Sequence, residues 1–234
     1  MKRNLPHYTC RKNKQTGVTC TKILIDYYNN VPVYEKKIRD LSIYSEDVNR
    51  KLLKNNPWKT PILYDLALFA KEEGLNVEIY KEKDSHVKDP LKNIEEYSRE
   101  REKKCLELGV KENFNEDMET KLGEWIWGGP LLLYINANYL YKQANAGFIW
   151  LIVLEYNKER DEIIVYDPLY YTRLPETRSW LRIENTPKRR YISFRRGFFL
   201  ECWRKTTETP IYSSELRVKK SVKPFIREFI AITK

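Results

Sequence analysis

GFIWLIVLEYNKERDEIIVYDP, residues 147–168, decides how the rest of the chain is read. Two apolar runs, from Phe148 to Leu154 and from Ile163 to Tyr166, flank a charged turn between Asn157 and Asp161. Runs this short, built from Ile, Val, Leu and Trp and parted by a polar turn, predict a buried antiparallel hairpin. Proline cannot continue a ladder, so the second strand stops before Pro168 and leaves Asp167 at its exit. An aspartate there either caps the turn or orients a catalytic group on the neighbouring strand.

Working outward, residues 130–136 (PLLLYIN) read as a second buried strand. A break at Gly128-Gly129-Pro130 precedes it and a loop over 137–146 follows it. A helix is expected over 116–127, and a weakly amphipathic one through Ile94, Tyr97, Cys105, Leu106 and Leu108. Residues 76–80 alternate as a strand. Thr60-Pro61 supplies a cap and an N1 proline for a helix through Leu63, Leu66, Phe69 and Ala70, stopped by Gly74. Two more helices are expected over 34–43, with Ile38 and Leu41 inward, and over 45–55, capped by Ser45. A first helix opens at Thr16 with Val18, Ile23, Leu24 and Tyr27 on one face and stops at Asn29-Asn30 and Pro32. Residues 1–14 are a basic loop or arm. Downstream, 191–200 reads as a strand interrupted at Arg195-Arg196-Gly197, and 222–232 as a helix with Pro224 near its start. Helices first and an antiparallel sheet after make an α+β fold.

A 234-residue chain with 41% apolar and 13% aromatic residues is enough for one well-packed domain, so disorder is excluded. No apolar run is long enough to span a bilayer, and no signal-type stretch follows the basic N-terminus, so a cytoplasmic protein away from the membrane is expected. Cys10, Cys20, Cys105 and Cys202 lack CxxC spacing and only two histidines are present, so no metal and no cofactor are expected. Cys10 and Cys20 are candidates for a disulfide that spacing alone does not show. Glutamine occurs only at Gln15 and Gln143 while Lys and Glu abound, a bias of thermophile proteins that a low-GC genome also produces.

Charge is unevenly placed. Residues 170–234 carry sixteen Lys and Arg against six Asp and Glu, whereas 1–169 carry twenty-seven of each. The whole net charge of +10 therefore lies in a basic C-terminal extension, 170–234, expected to pack on the domain formed by 1–169. Arg189-Arg190, Arg195-Arg196 and Lys219-Lys220 are interleaved with Tyr191, Phe194, Phe198 and Phe199, which suits phosphate contacts with base stacking. Nucleic acid or a ribonucleoprotein is one expected partner. An acidic protein, or this chain's own acidic stretch over 81–124, satisfies the same charge, and so does a solvated face.

The order of these segments resembles the papain-like cysteine peptidases of the bacteriocin-processing (double-glycine leader) type. TGVTC…IDYY is similar to their C-G-P-[AST]-C…YY helix, and TPILYDLALFAKEEGLNVEIY to their helix, Gly-turn and strand. GGPLLLYIN resembles their G-x-P strand, and FIWLIVLEYN…IIVYDP their H-W-V-V-V-x-G-Y-D…DP hairpin. The resemblance covers residues 15–168 and not the basic tail. It implies a papain-like fold and a site of thiolate, imidazole and aspartate, with a glutamine in the oxyanion hole. Such chemistry needs the thiol at a helix N-terminus, where the dipole and an imidazolium lower its pKa. The imidazole must reach that thiol and lie between it and the aspartate.

Carried over singly, the nucleophile position holds Thr16, the histidine position Ile149 and the aspartate position Asp167. The family's glutamine stands several residues before the nucleophile, near Cys10 here, whereas Gln15 is adjacent to it. Threonine without a base is a poor nucleophile and isoleucine moves no proton. The expectation is a peptidase-like domain without catalysis, acting as a binding or structural protein, with Asp167 capping the hairpin exit. The alternative is an active cysteine peptidase or acyl-transfer enzyme using Cys20 or Cys10. Cys20 falls one turn inside the helix, where a buried structural cysteine is the plainer reading. His7, in the arm, and His86, in a charged loop, are expected in solvent. A different pocket around Asp167, Tyr166, Tyr170 and Tyr171 is a further option, as is a subunit or inhibitor that presents the old cleft to a protein.

Overall fold

The computed structural model describes residues 5–31, 39–56, 61–82, 93–115, 117–141, 147–169, 177–178, 181–183, 191–206 and 227–234. Strand β1 (Tyr8–Thr9) is followed by a 3-10 turn (Asn13–Gln15) and helix α1 (Thr16–Tyr28). Strand β2 (Arg39–Asp40) pairs parallel with β1, and α2 (Ser42–Leu52), α3 (Leu63–Glu72) and β3 (Asn76–Lys81) follow. Next come α4 (Asn93–Glu107), β4 (Lys111–Phe114), α5 (Met118–Gly128), β5 (Leu131–Asn136) and α6 (Ala137–Tyr141). The rest is β6 (Phe148–Asn157), β7 (Glu162–Tyr166), β8 (Thr177–Arg178), β9 (Leu181–Ile183), β10 (Tyr191–Arg195), α7 (Arg196–Thr206) and β11 (Glu228–Thr233).

Nine strands form one sheet in the order β4-β3-β11-β5-β6-β7-β10-β9-β8. Every pairing is antiparallel except β3 with β4. The protein is thus a mixed α and β fold around a largely antiparallel sheet. Alternation along each strand sends side chains to opposite faces. On β6, Trp150 and Ile152 join a core with α1, α3 and α4, whereas Ile149, Leu151 and Val153 join a second core with α5, α6 and α7. A central strand covered on both faces has no polar side to show, which is why Phe148 to Leu154 is apolar throughout. Among the described residues, no helix is long and apolar enough to cross a membrane.

The hairpin at 147–168 is present as β6 and β7, with Asn157 opposite Glu162 and Asp161 in the left-handed region at φ 51°. The register shifts between Val153 and Glu155. That bulge turns Tyr156 onto the α5 face, where its ring meets Trp127 edge-on at 6.2 Å.

Several elements differ from expectation. The expected helix over 222–232 is strand β11 from Glu228 onward, seated between β3 and β5, while 222–226 lie outside the described residues. Phe229 and Ala231 face one core and Ile230 and Ile232 the other, so both faces are apolar and helix and strand look alike by pattern. The interrupted strand at 191–200 is a strand that becomes helix α7 at Arg196. The expected loop at 137–146 begins with α6, and the charged stretch after α4 contains edge strand β4. Of the expected helix at 34–43, Arg39 and Asp40 form a strand and 34–38 lie outside the described residues. Helix α2 starts at Ser42, whose amide donates to Asp40 Oδ1. Ser45, expected as a cap, is instead buried inside the helix against Thr19.

Candidate functional site

Thr16 opens helix α1 beneath the start of β6. Its hydroxyl donates to the Asn13 carbonyl at 2.7 Å, and its oxygen accepts the Trp150 amide at 2.9 Å. Both functions of the hydroxyl are committed, and the residue is fully buried. Gly17 is required by the approach of helix to sheet: a Cβ there would lie 2.9 Å from both Leu66 Cδ1 and Trp150 Cδ1. Gln15 is buried as well. Its Oε1 accepts the amides of Arg11 and Lys12, and its Nε2 donates to the Ser42 carbonyl, so it ties the turn before α1 to α2.

Ile149 does not meet Thr16. Its side chain lies in the core on the far face of the sheet, among α5, α6 and α7, and the residue facing α1 is Trp150. Asp167 is buried beyond the end of β7, where it accepts the Tyr141 hydroxyl at Oδ2 and the Leu169 amide at Oδ1. That is the geometry of a turn cap, with α6 supplying the second donor.

All four cysteines are buried thiols and no disulfide joins them. Cys20 donates to the Trp150 carbonyl at 3.5 Å. Burial above all, and then Cys10 and Asp167, push its thiol well up, the opposite of what a nucleophilic thiolate needs. His7 is buried rather than solvated, because β1 pairs with β2 and the Cys10 amide bonds to the Pro168 carbonyl, which pins the arm to the hairpin exit. His86, Tyr170 and Tyr171 lie outside the described residues.

Of the expected cations, Arg189, Arg190, Lys219 and Lys220 lie outside the described residues. Arg195 and Arg196 are both exposed, at the junction of β10 and α7. The Arg196 guanidinium sits 5.9 Å from the Tyr156 ring, and Lys158 Nζ sits 4.6 Å from Trp127, which is 58% exposed. Two aromatic rings and two cations thus meet at the hairpin tip. Acids interleave with them: Tyr156 donates to Asp161, and Glu162 stands opposite Arg195.

Sequence reasoning missed a second polar centre, on the α1 face and towards the end of the sheet away from the hairpin tip. Lys81, only 2% exposed, places Nζ 2.5 Å from Glu112 and 2.5 Å from the Tyr64 hydroxyl, with Glu102 at 3.9 Å. The rings of Phe114 and Tyr64 lie 5.0 and 5.1 Å from the ammonium. Glu228 is the cross-strand partner of Lys81. The available signal was a charged residue abutting each of two apolar runs, Lys81 after NVEIY and Glu228 before FIAIT. Nothing in either pattern reveals that the two strands pair. Among the described residues, no group of three or more His, Cys, Asp or Glu is arranged to hold a metal ion. No protein-family profile matches the chain, and no curated protein sequence matches it.

Proposed function

We propose that this protein is a papain-like domain without peptidase activity that works by binding, with nucleic acid as the partner of its basic C-terminal part. The observation that carries the first half is the Thr16 hydroxyl, held between Asn13 and Trp150 with no imidazole bonded to it among the described residues. A nucleophilic hydroxyl needs a base to take its proton, and this proton is given to the Asn13 carbonyl instead. Catalysis through Cys20 has less support, since burial raises that thiol.

The binding half is supported by the confinement of the net positive charge to 170–234 and by the exposed Trp127, Lys158 and Arg196 beside the half-buried Tyr156. Aromatic faces beside cations suit bases and phosphates of a single strand. The test is fluorescence polarisation of a labelled single-stranded RNA and DNA against the full chain over a range of salt. Affinity is expected to fall steeply with salt and to weaken severalfold in Trp127→Ala and in Arg195→Ala/Arg196→Ala. Salt-independent binding, or none at low salt, removes the nucleic-acid half. Cleavage of a double-glycine leader peptide by the unaltered chain removes the other.

A further inference from the structure

We propose that Glu228 is a proton-binding site that sets how tightly strand β11 is held in the sheet, so that gaining a proton seats the strand and losing it loosens the strand. This goes beyond the binding function above and does not depend on it. The starting point is the neighbourhood of one ammonium. Among the described residues, Lys81 faces carboxylates on three elements: Glu112 on β4, Glu102 on α4, which has a further partner, and Glu228 across the ladder on β11. Lys81 is already bonded to Glu112 and to the Tyr64 hydroxyl. Among the described residues, Glu228, directly across the ladder, has no such bond and feels Lys81 and Glu112 through their charge.

Burial is the largest influence on Glu228 and pushes its carboxyl up to about 7; the pull of Lys81 opposes this, and the Glu112 charge adds to it. The Tyr64 phenol on α3 and the Tyr134 phenol on β5 are both raised mainly by burial, Tyr64 next by Glu112 and only lastly by Glu228, Tyr134 next by the Glu228 charge. Both therefore stay neutral and bring no compensating charge. Above neutrality an ionised Glu228 stands beside an ionised Glu112, and the Lys81 ammonium between the two strands is already bonded to Glu112.

Position makes this matter. β11 lies between β3 and β5 and, among the described residues, joins the β4-β3 pair to the rest of the sheet. Its entry is held by charge at two successive residues, since Arg227 bonds to Glu82 at 2.6 Å and lies 3.3 Å from Glu119 on α5. Because folding raises this carboxyl, the folded state binds the proton more tightly than the unfolded chain does. The stabilisation is complete below the unfolded value and is lost as pH rises through about 7.

The experiment follows hydrogen exchange of the Phe229 to Ile232 amides in the full chain, corrected for intrinsic rates, with Glu228→Gln beside it. From about pH 6 to about pH 8 the opening equilibrium of these amides is expected to rise roughly tenfold in the parent chain and to stay level in the variant. A carbon-13 NMR titration of the Glu228 carboxyl in the parent chain gives an independent reading should the variant fail to fold. A midpoint near neutrality supports the proposal. A midpoint in the ordinary carboxylate range, or a Glu228→Gln chain that retains the parent's rise, overturns it.

Discussion

The amide of Trp150 donates to the hydroxyl of Thr16 across 2.9 Å, so the first residue of helix α1 is stitched to central strand β6. The same oxygen carries the proton that reaches the Asn13 carbonyl. One side chain thus satisfies a strand amide and closes the turn before the helix. A position that the peptidase resemblance reserves for a nucleophile is here a joint between layers.

Thr16→Val keeps the shape and removes the joint. The Trp150 amide is then buried without a partner, which costs about 1–3 kcal/mol. Thr16→Ser, which keeps the oxygen, is expected to recover most of that loss. Urea denaturation of the three chains decides it; equal stability of the valine and serine variants would show that the bond contributes nothing.

Installing a cysteine and a histidine at the two vestigial positions is not expected to create a peptidase. In Thr16→Cys/Ile149→His the imidazole would enter the core on the α5 to α7 face, away from the thiol on the α1 side. Burying an imidazole without partners there is expected to cost at least about 2 kcal/mol. A fluorogenic peptide assay and a melting curve check both statements, and turnover by this variant would place residue 149 on the wrong face.

Cys20 is expected to react with iodoacetamide at neutral pH only as fast as the chain opens, because its thiol is buried and held well above the ordinary range. Mass spectrometry of the labelled chain, native and in denaturant, separates the two rates. Stoichiometric labelling of native Cys20 within minutes would identify an activated thiolate.

Lys81→Met leaves the buried Glu112 carboxylate and the half-buried Glu228 facing an apolar side chain. Burial alone would raise Glu112, yet the bonds from Lys81 and Tyr64 outweigh it and hold this carboxyl below its usual range. That stabilisation is present above the unfolded value and lost as pH falls. Without the ammonium both carboxyls move up, so the Glu112 contribution reverses sign and joins that of Glu228 in making acid stabilising. The variant is expected to lose about 3–5 kcal/mol near neutrality and to regain much of it towards acid. Denaturation at several pH values tests this; a uniform loss at every pH would mean the ammonium acts through packing and not through charge.

Much of the architecture was readable along the chain because period and punctuation are local. The hairpin showed itself through two apolar runs and a polar turn. Helix α3 was marked by its repeat of Leu and Phe and by Gly74, which adopts φ +83° after the last turn. Where both faces of an element are buried, period carries no information, and the pattern of β11 fits a helix as well as a strand. Helix α6 was too short to show a period.

The candidate site was less readable still. Composition and order along the chain sufficed to say that a helix beginning at Thr16 precedes a buried hairpin ending at Asp167, that an α+β core of this size is possible, and that positive charge gathers after residue 169. Which faces meet is a matter of register. Ile149 and Trp150 are adjacent in the chain, yet strand alternation puts one against α7's layer and the other against Gly17. Lys81 and Glu228 are far apart in the chain and become neighbours only because β11 enters the sheet beside β3. Local sequence sets each segment's propensity and periodicity. The pairing of distant strands, and with it the shared burial that shifts Glu228 and Cys20, is decided by the folded chain alone.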